Sequence, residues 1–170
     1  MIEVKNLSKS FEDKVVLKDI NTSFDSGKTN LIIGQSGSGK TVLMKCIVGL
    51  FTPDKGEVLY DDRNLLEMSK QQIKDLRREI GMIFQSSSLF DSLNVLKNVM
   101  FPLDMFSGQT FIEREKRARF CLERVNLAGA EEKFPGELSG GMQKRVAIAR
   151  AIALNPKYLF CDDPNSGLDP

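Results

Sequence analysis

The chain has 170 residues, 41% apolar and 28% charged, with 24 Lys and Arg against 23 Asp and Glu for a net charge of +1. That balance fits folded material of about one domain and excludes a non-specific nucleic-acid binder, which needs surplus positive charge to displace counterions. The sequence holds no histidine, which removes Ser-His-Asp hydrolysis, a His-ligated zinc and a histidine proton shuttle from the mechanisms open to this chain.

No apolar stretch approaches the roughly 18–20 residues that cross a bilayer, and the longest, Val42 to Phe51, is broken by Lys45. The first ten residues carry no apolar signal-peptide core. Cys46, Cys121 and Cys161 lack CxxC spacing, the pattern of reduced, buried thiols in a cytosolic protein.

The first 33 residues read as strands, with Val15-Val16-Leu17 and Ile20 to Phe24 ahead of a turn at residues 25–28. Leu31-Ile32-Ile33 is wholly apolar, as expected of a strand buried on both faces of a parallel sheet. A glycine-rich loop leads into a helix from Thr41 to Leu50, followed by a turn over Phe51 to Gly56 and a strand over Glu57 to Tyr60. Residues 69–79 are helical in pattern and Ile80 to Phe84 strand-like. Ser107 to Glu132 reads as helical, Pro135-Gly136 interrupts, and a second helix runs from about Gly140 to Leu154 before Asn155-Pro156 stops it. Tyr158 to Cys161 is a last apolar strand, expected to be buried. Strands alternating with helices predict an α/β domain.

Gly34-Gln35-Ser36-Gly37-Ser38-Gly39-Lys40-Thr41 fits G-x-x-x-x-G-K-[ST] between an apolar run and a helix. Its glycines let backbone amides turn toward phosphate oxygens, and the helix start adds positive dipole. Lys40 is placed for the β- and γ-phosphates and the Thr41 hydroxyl for magnesium, so the loop predicts ATP or GTP binding. Asp162-Asp163 follows the last strand, where open α/β sheets place ligands. Alone it would read as a solvated turn. Beside a phosphate loop, Asp162 reads as a magnesium partner through water, and Asp163 as the acid that polarises attacking water. Leu138-Ser139-Gly140-Gly141-Met142-Gln143 opens the second helix; alone it would be an N-cap at Ser139.

Together with the phosphate loop and the strand-end aspartate, that turn resembles the signature motif of ABC ATPases, and the run Gln143 to Ala151 extends the likeness. Gln85 falls at the family's Q-loop position and Ser166-Gly167-Leu168-Asp169 at its D-loop, so the resemblance spans essentially the whole chain. It implies a P-loop NTPase core sheet (residues 1–85 and 156–170) with an N-terminal antiparallel β subdomain and a helical subdomain over 86–155. Phe11 then matches the aromatic that stacks on adenine, though a core phenylalanine is the plain alternative. Val16 joins it among the nucleotide contacts, with Gly34 to Thr41. Gln85 becomes a magnesium contact that also senses a permease. Two such domains pair head to tail, with Ser139, Gly140, Gly141 and Gln143 of one meeting the nucleotide on the phosphate loop of the other. The cofactors implied are ATP and Mg2+. The partners are a second copy and transmembrane permease subunits, with no nucleic acid; residues 86–138 are too few for the long coiled coil of the DNA-repair branch. The location implied is the cytoplasmic face of the inner membrane.

Within the family, Phe84 to Val95 and Asn98 to Leu103 look like ATPases of Mla-type phospholipid transporters, with Leu89-Phe90-Asp91-Ser92-Leu93 and Met142 as the distinguishing residues. Amino-acid and lipoprotein systems share much of this pattern, and a hydrolysis-impaired regulatory subunit is a further alternative. Leu89 and Phe90 are expected to line the groove for a permease helix. Two features depart from the family. Asp163 replaces the usual glutamate and retracts the carboxylate by about 1.5 Å, which is expected to slow turnover while leaving MgATP binding possible. The chain also stops at Pro170, inside the D-loop and short of the family's switch histidine, as expected of the first two-thirds of a cassette with an exposed edge.

Overall fold

β-Branched and aromatic residues (Ile2, Val4, Phe11, Val15, Val16, Ile20, Thr22 and Phe24) punctuate the first 24 positions, which form β1 (Ile2–Phe11) and β2 (Lys14–Phe24). The computed structural model describes residues 1–162, which divide into a unit from Met1 to Lys74 and a second from Asp75 onward.

In the first unit, β3 (Lys55–Tyr60) and β4 (Arg63–Asn64) complete an antiparallel sheet of order β2-β1-β3-β4. Asp61 and Asp62, both at positive φ (45° and 68°), make the two-residue turn of the β3–β4 hairpin. The period-2 alternation that buries Ile2 and Val4 breaks where β1 shifts register between Val4 and Leu7. Asn6, at φ 50°, takes up the extra residue and turns Leu7 back to the core, where it is fully buried. Opposite this bulge, Gly56 (φ 92°) lies so close that a Cβ would meet the Lys5 carbonyl oxygen at 2.4 Å.

The helix α1 (Lys40–Ile47) buries Leu43, Met44, Cys46 and Ile47. Its last turn is tied down by the fully buried Tyr60, whose hydroxyl donates to the Ile47 carbonyl at 2.9 Å. One polar bond thus fixes the helix that carries the phosphate loop, and satisfies a carbonyl that a helix end leaves open.

The helix α2 (Lys70–Glu79) precedes β5 (Ile80–Ile83) in sequence. In the second unit, β5 pairs in parallel with β6 (Tyr158–Cys161), and Asp162 N extends the ladder to Ile83 O at 2.9 Å. Three helices, α3 (Val95–Phe106), α4 (Phe111–Arg124) and α5 (Gly140–Ile152), share one apolar core that includes Val95, Val99, Leu103, Cys121, Leu122 and Val146. Arginines brace α5: the Arg117 guanidinium donates to the Ile152 and Ala153 carbonyls, both at 2.9 Å, closing its C-terminal end. Arg145 reaches Val125 O and Asn126 O at 3.4 and 3.3 Å.

Three expectations are corrected. Leu31-Ile32-Ile33 joins neither sheet, and Leu31 and Ile33 are each 82% exposed; without ladder partners an apolar run has neither paired backbone nor covered faces. The strand Tyr158–Cys161 forms as expected, yet Leu159 and Cys161 are exposed, because among the described residues its sheet has only two strands. The helical stretch from Ser107 to Glu132 contracts to α4, begun by a Thr110–Glu113 capping box and ended at Arg124.

Candidate functional site

The phosphate-binding loop owes its shape to glycine. Gly37 (φ 79°) and Gly39 (φ 94°) lie in the left-handed region, and Gly39 is the N-cap of α1 with no side-chain cap bond. A Cβ on Gly39 would meet Leu17 Cδ2 at 3.0 Å and both Val16 Cγ1 and Val16 O at 3.2 Å. Val16 and Leu17 of β2 therefore form a wall against which the loop backbone turns. Gly39 offers no side-chain acceptor to the first amides of α1, an arrangement suited to an anion. Lys40 folds its ammonium over the loop and donates to Gly34 O at 2.8 Å and Gln35 O at 2.9 Å, while Ser38 N bonds Gln35 O at 3.2 Å. Backbone amides, one ammonium and the Thr41 hydroxyl gather on one exposed turn. That donor set fits a polyphosphate carrying a hard divalent ion.

On β1, Phe11 is 40% exposed and packs on Phe51, with ring centroids 5.3 Å apart and planes at 70°. Lys9 Nζ stands 5.4 Å from the Phe11 centroid and pairs with Asp54 at 2.8 Å; the Asp54 carboxylate also accepts from Ser10 N at 2.6 Å. The hydrogen bond from Lys9, with that from Ser10, holds the Asp54 carboxyl below the usual carboxylate range. In the sequence Phe51 reads only as part of a turn; its one signal there is an aromatic immediately before Thr52-Pro53.

In the second unit, Gln85 and Asp162 leave the same end of the parallel β5–β6 pair, whose register sets Ile83 beside Cys161. Gln85 is exposed and Asp162 half-buried. At the start of α5, Ser139 is the N-cap and its side chain accepts from Met142 N at 3.3 Å. Gly140 and Gly141 are the first helical residues, and a Cβ on either would meet open space. Gln143 is held inside its own chain: its Nε2 donates to Pro135 O at 2.9 Å, and its Oε1 accepts from the Ser87 hydroxyl at 3.2 Å. Arg150, seven residues on, donates to Ser88 O and Ser87 O, both at 2.9 Å. Phe90 is 41% exposed, 4.6 Å from the Phe101 ring. Its loop is clasped by the fully buried Asn98, whose Oδ1 accepts from Phe90 N at 2.9 Å and whose Nδ2 donates to Leu93 O at 2.9 Å. Leu89 is half-buried against the helical core. Asp163 and Ser166 to Asp169 lie outside the described residues.

A family model described as ABC transporter matches residues 17–166. The chain is 40% identical over 169 residues to the probable ribonucleotide transport ATP-binding protein mkl of Mycobacterium leprae, covering 99% of this chain and 49% of that one. It is 44% identical over 170 residues to the methionine import ATP-binding protein MetN of Clostridioides difficile (100% and 53% covered). It is 39% identical to the intermembrane phospholipid transport system ATP-binding protein MlaF of Haemophilus influenzae (100% and 64% covered). The chain thus spans about half to two-thirds of these relatives' lengths. The solved dimeric cassette MJ0796, in a post-hydrolysis state bound to ADP and Pi, superposes with a TM-score of 0.90 at 36% identity, covering 99% of this chain and 76% of that one.

Proposed function

The chain belongs to the ABC transporter family, and from that premise we propose that it is the MgATP-binding part of a transport ATPase that drives a membrane permease. The observation that carries the reading is the phosphate loop, where left-handed Gly37 and Gly39 turn the backbone while Lys40 covers it. Lys40 holds the β- and γ-phosphates, the Thr41 hydroxyl and Asp162 hold magnesium, Gln85 contacts it, and Phe11 stacks on adenine with Val16 nearby. Magnesium, when bound, neutralises charge that develops on the phosphate oxygens. Asp163 orients the attacking water from a carboxylate one methylene shorter than the family's glutamate, so turnover is slow and Asp163→Glu raises it. Ser139, Gly140 and Gly141 receive the nucleotide held by a second copy, in a head-to-tail pair. Among the described residues no helix is long and apolar enough to cross a membrane, and the reading places the chain at the membrane's cytoplasmic face through its permease. Leu89 and Phe90 receive a permease helix, and the exposure of Phe90 supports this.

For the cargo, Leu89 to Leu93 and Met142 favour phospholipid, and the likeness to MlaF supports it. The higher identity to MetN favours amino-acid import as the second reading. Sedimentation of the chain with and without MgATP tests the core of the proposal. ATP-driven pairing that Ser139→Arg abolishes is the expected result; a chain that stays monomeric at saturating ATP would overturn it. For cargo, a lipid-binding protein encoded beside the permease supports phospholipid, and an amino-acid-binding protein overturns it.

A further inference from the structure

The segment after Gln85 is strapped along one face of α5, and the strap reaches the turn that opens that helix. Gln143 and Arg150 are seven residues apart, so they share a helix face and stand about 10 Å apart along it. Both hold the same short segment. Arg150 forks onto two successive carbonyls, Ser87 O and Ser88 O, each at 2.9 Å. Ser87 also donates its hydroxyl to Gln143 Oε1 at 3.2 Å, and Gln143 passes the link on through Nε2 to Pro135 O at 2.9 Å. Pro135 is buried and stands four residues before Ser139. One continuous chain of hydrogen bonds therefore runs from the backbone beside Gln85, across α5, to the segment that feeds the Ser139 cap.

The Arg150 guanidinium is largely desolvated, and burial lowers its pKa. Releasing the carbonyls would leave a half-buried cation without those acceptors, so the fork resists opening. The same guanidinium lies 5.9 Å from the Phe90 ring centroid, which adds the exposed Phe90 to the connected set.

We propose that Arg150 is a positioning residue, acting with Ser87 and Gln143, that makes the loop after Gln85 and the Ser139–Gly141 turn move as one body. Displacing Phe90 or Gln85 then displaces Ser139 without any change inside α5. The use made of that motion rests on the nucleotide reading above; the strap itself does not. Gln143 serves here as a link within its own chain, a role its amide fills with both ends.

Hydrogen exchange at backbone amides, measured without nucleotide, tests the strap. Arg150→Met keeps the stem and removes the fork. The expected result is severalfold faster exchange at the Phe90 amide, which donates to Asn98 Oδ1 next to the strap, and at the Met142 and Gln143 amides, with the amides of Ala118 to Leu122 in α4 within twofold of the unaltered chain. Arg150→Lys, with one donor group in place of a fork, gives intermediate rates. Ser87→Ala quickens the Gln143 amide alone. Loosening at Phe90 with Met142 and Gln143 unchanged would overturn the proposal, and so would acceleration spread equally through α4, the mark of a general brace. Where Arg150→Met does not fold, Arg150→Lys carries both readouts and Ser87→Ala the one at Gln143. An unresponsive ATP titration, by contrast, would remove the nucleotide reading and leave the exchange result standing.

Discussion

The phosphate loop and the Ser139 turn are both glycine-rich segments that open a helix, yet they are shaped by different forces. At the phosphate loop the backbone carries the geometry: Gly39 caps α1 at φ 94° with no side-chain bond, pressed against Val16 and Leu17. At the Ser139 turn the side chains carry it. Ser139 caps Met142 N, and Gln143, Arg145, Arg150 and the incoming Arg117 pin the helix along its length. Gly140 and Gly141 there have open space around them. Glycine in the first place is a steric necessity; in the second, nothing among the described residues demands it. A residue that folding does not require is the better candidate for contact with something outside the chain.

The largest effect expected from this contrast comes from adding one methyl group at each site. Gly39→Ala forces an L-residue into the left-handed region and into contacts of 3.0–3.2 Å, at a cost of roughly 2 kcal/mol or more. ATP affinity should fall as well, because relieving those contacts moves the loop amides that would face the phosphates. Gly140→Ala should leave the unfolding free energy within about 0.5 kcal/mol or raise it slightly, since alanine is the better helix former. Denaturant melts of both variants check this, and equal costs would erase the distinction.

Next in size is Arg117→Met, which removes two charged hydrogen bonds from the C-terminal carbonyls of α5. A loss of about 1–2 kcal/mol is expected, with ATP affinity unchanged because the phosphate loop is shaped by its own backbone. A matching loss of ATP binding would show that the two segments are not independently built.

The smallest effect concerns Asp54 beside Phe11. Its carboxyl titrates below the ordinary range in the folded chain because Lys9 and the Ser10 amide bond its ionised form. A depressed folded pKa gives a contribution that is complete above the ordinary carboxylate range and is lost as pH falls through it toward the folded value. Asp54→Asn should lower stability by a small, constant amount at neutral pH and flatten the profile on the acid side, where the two proteins converge, in melts from neutral pH downward. The group is solvent-exposed, so the change is small.

The same contrast explains what was legible in the sequence. The phosphate loop, α1, α5 and β6 could be placed because their signals are local: glycines at fixed spacing, Ser139 as a cap, Asn155-Pro156 as a stop. The helix α3 was not recognised as an element, because Pro102 sits inside it and the polar Asn98 is at its core. It forms because Asn94 caps it and the carbonyls of Glu131 and Lys133 accept from its first amides. Those partners are distant in sequence. Leu31 to Ile33 and Leu159 were expected to be buried from composition alone, but burial depends on neighbouring strands. The roles of Phe51 and Arg150 are not legible in the sequence, because a ring contact and a fork onto carbonyls leave no periodic trace.

The central claim is that this chain binds MgATP through a loop whose shape is set by glycine and whose charge is Lys40. Titration of the unaltered chain and of Lys40→Ala with a fluorescent ATP analogue tests it most directly. Removing the ammonium takes away the only side-chain cation bonded across the loop among the described residues. The expected result is saturable binding weakened by roughly a hundredfold in Lys40→Ala, the worth of about two charge-assisted hydrogen bonds. Equal affinity in the two proteins, or no saturable binding in either, would contradict it.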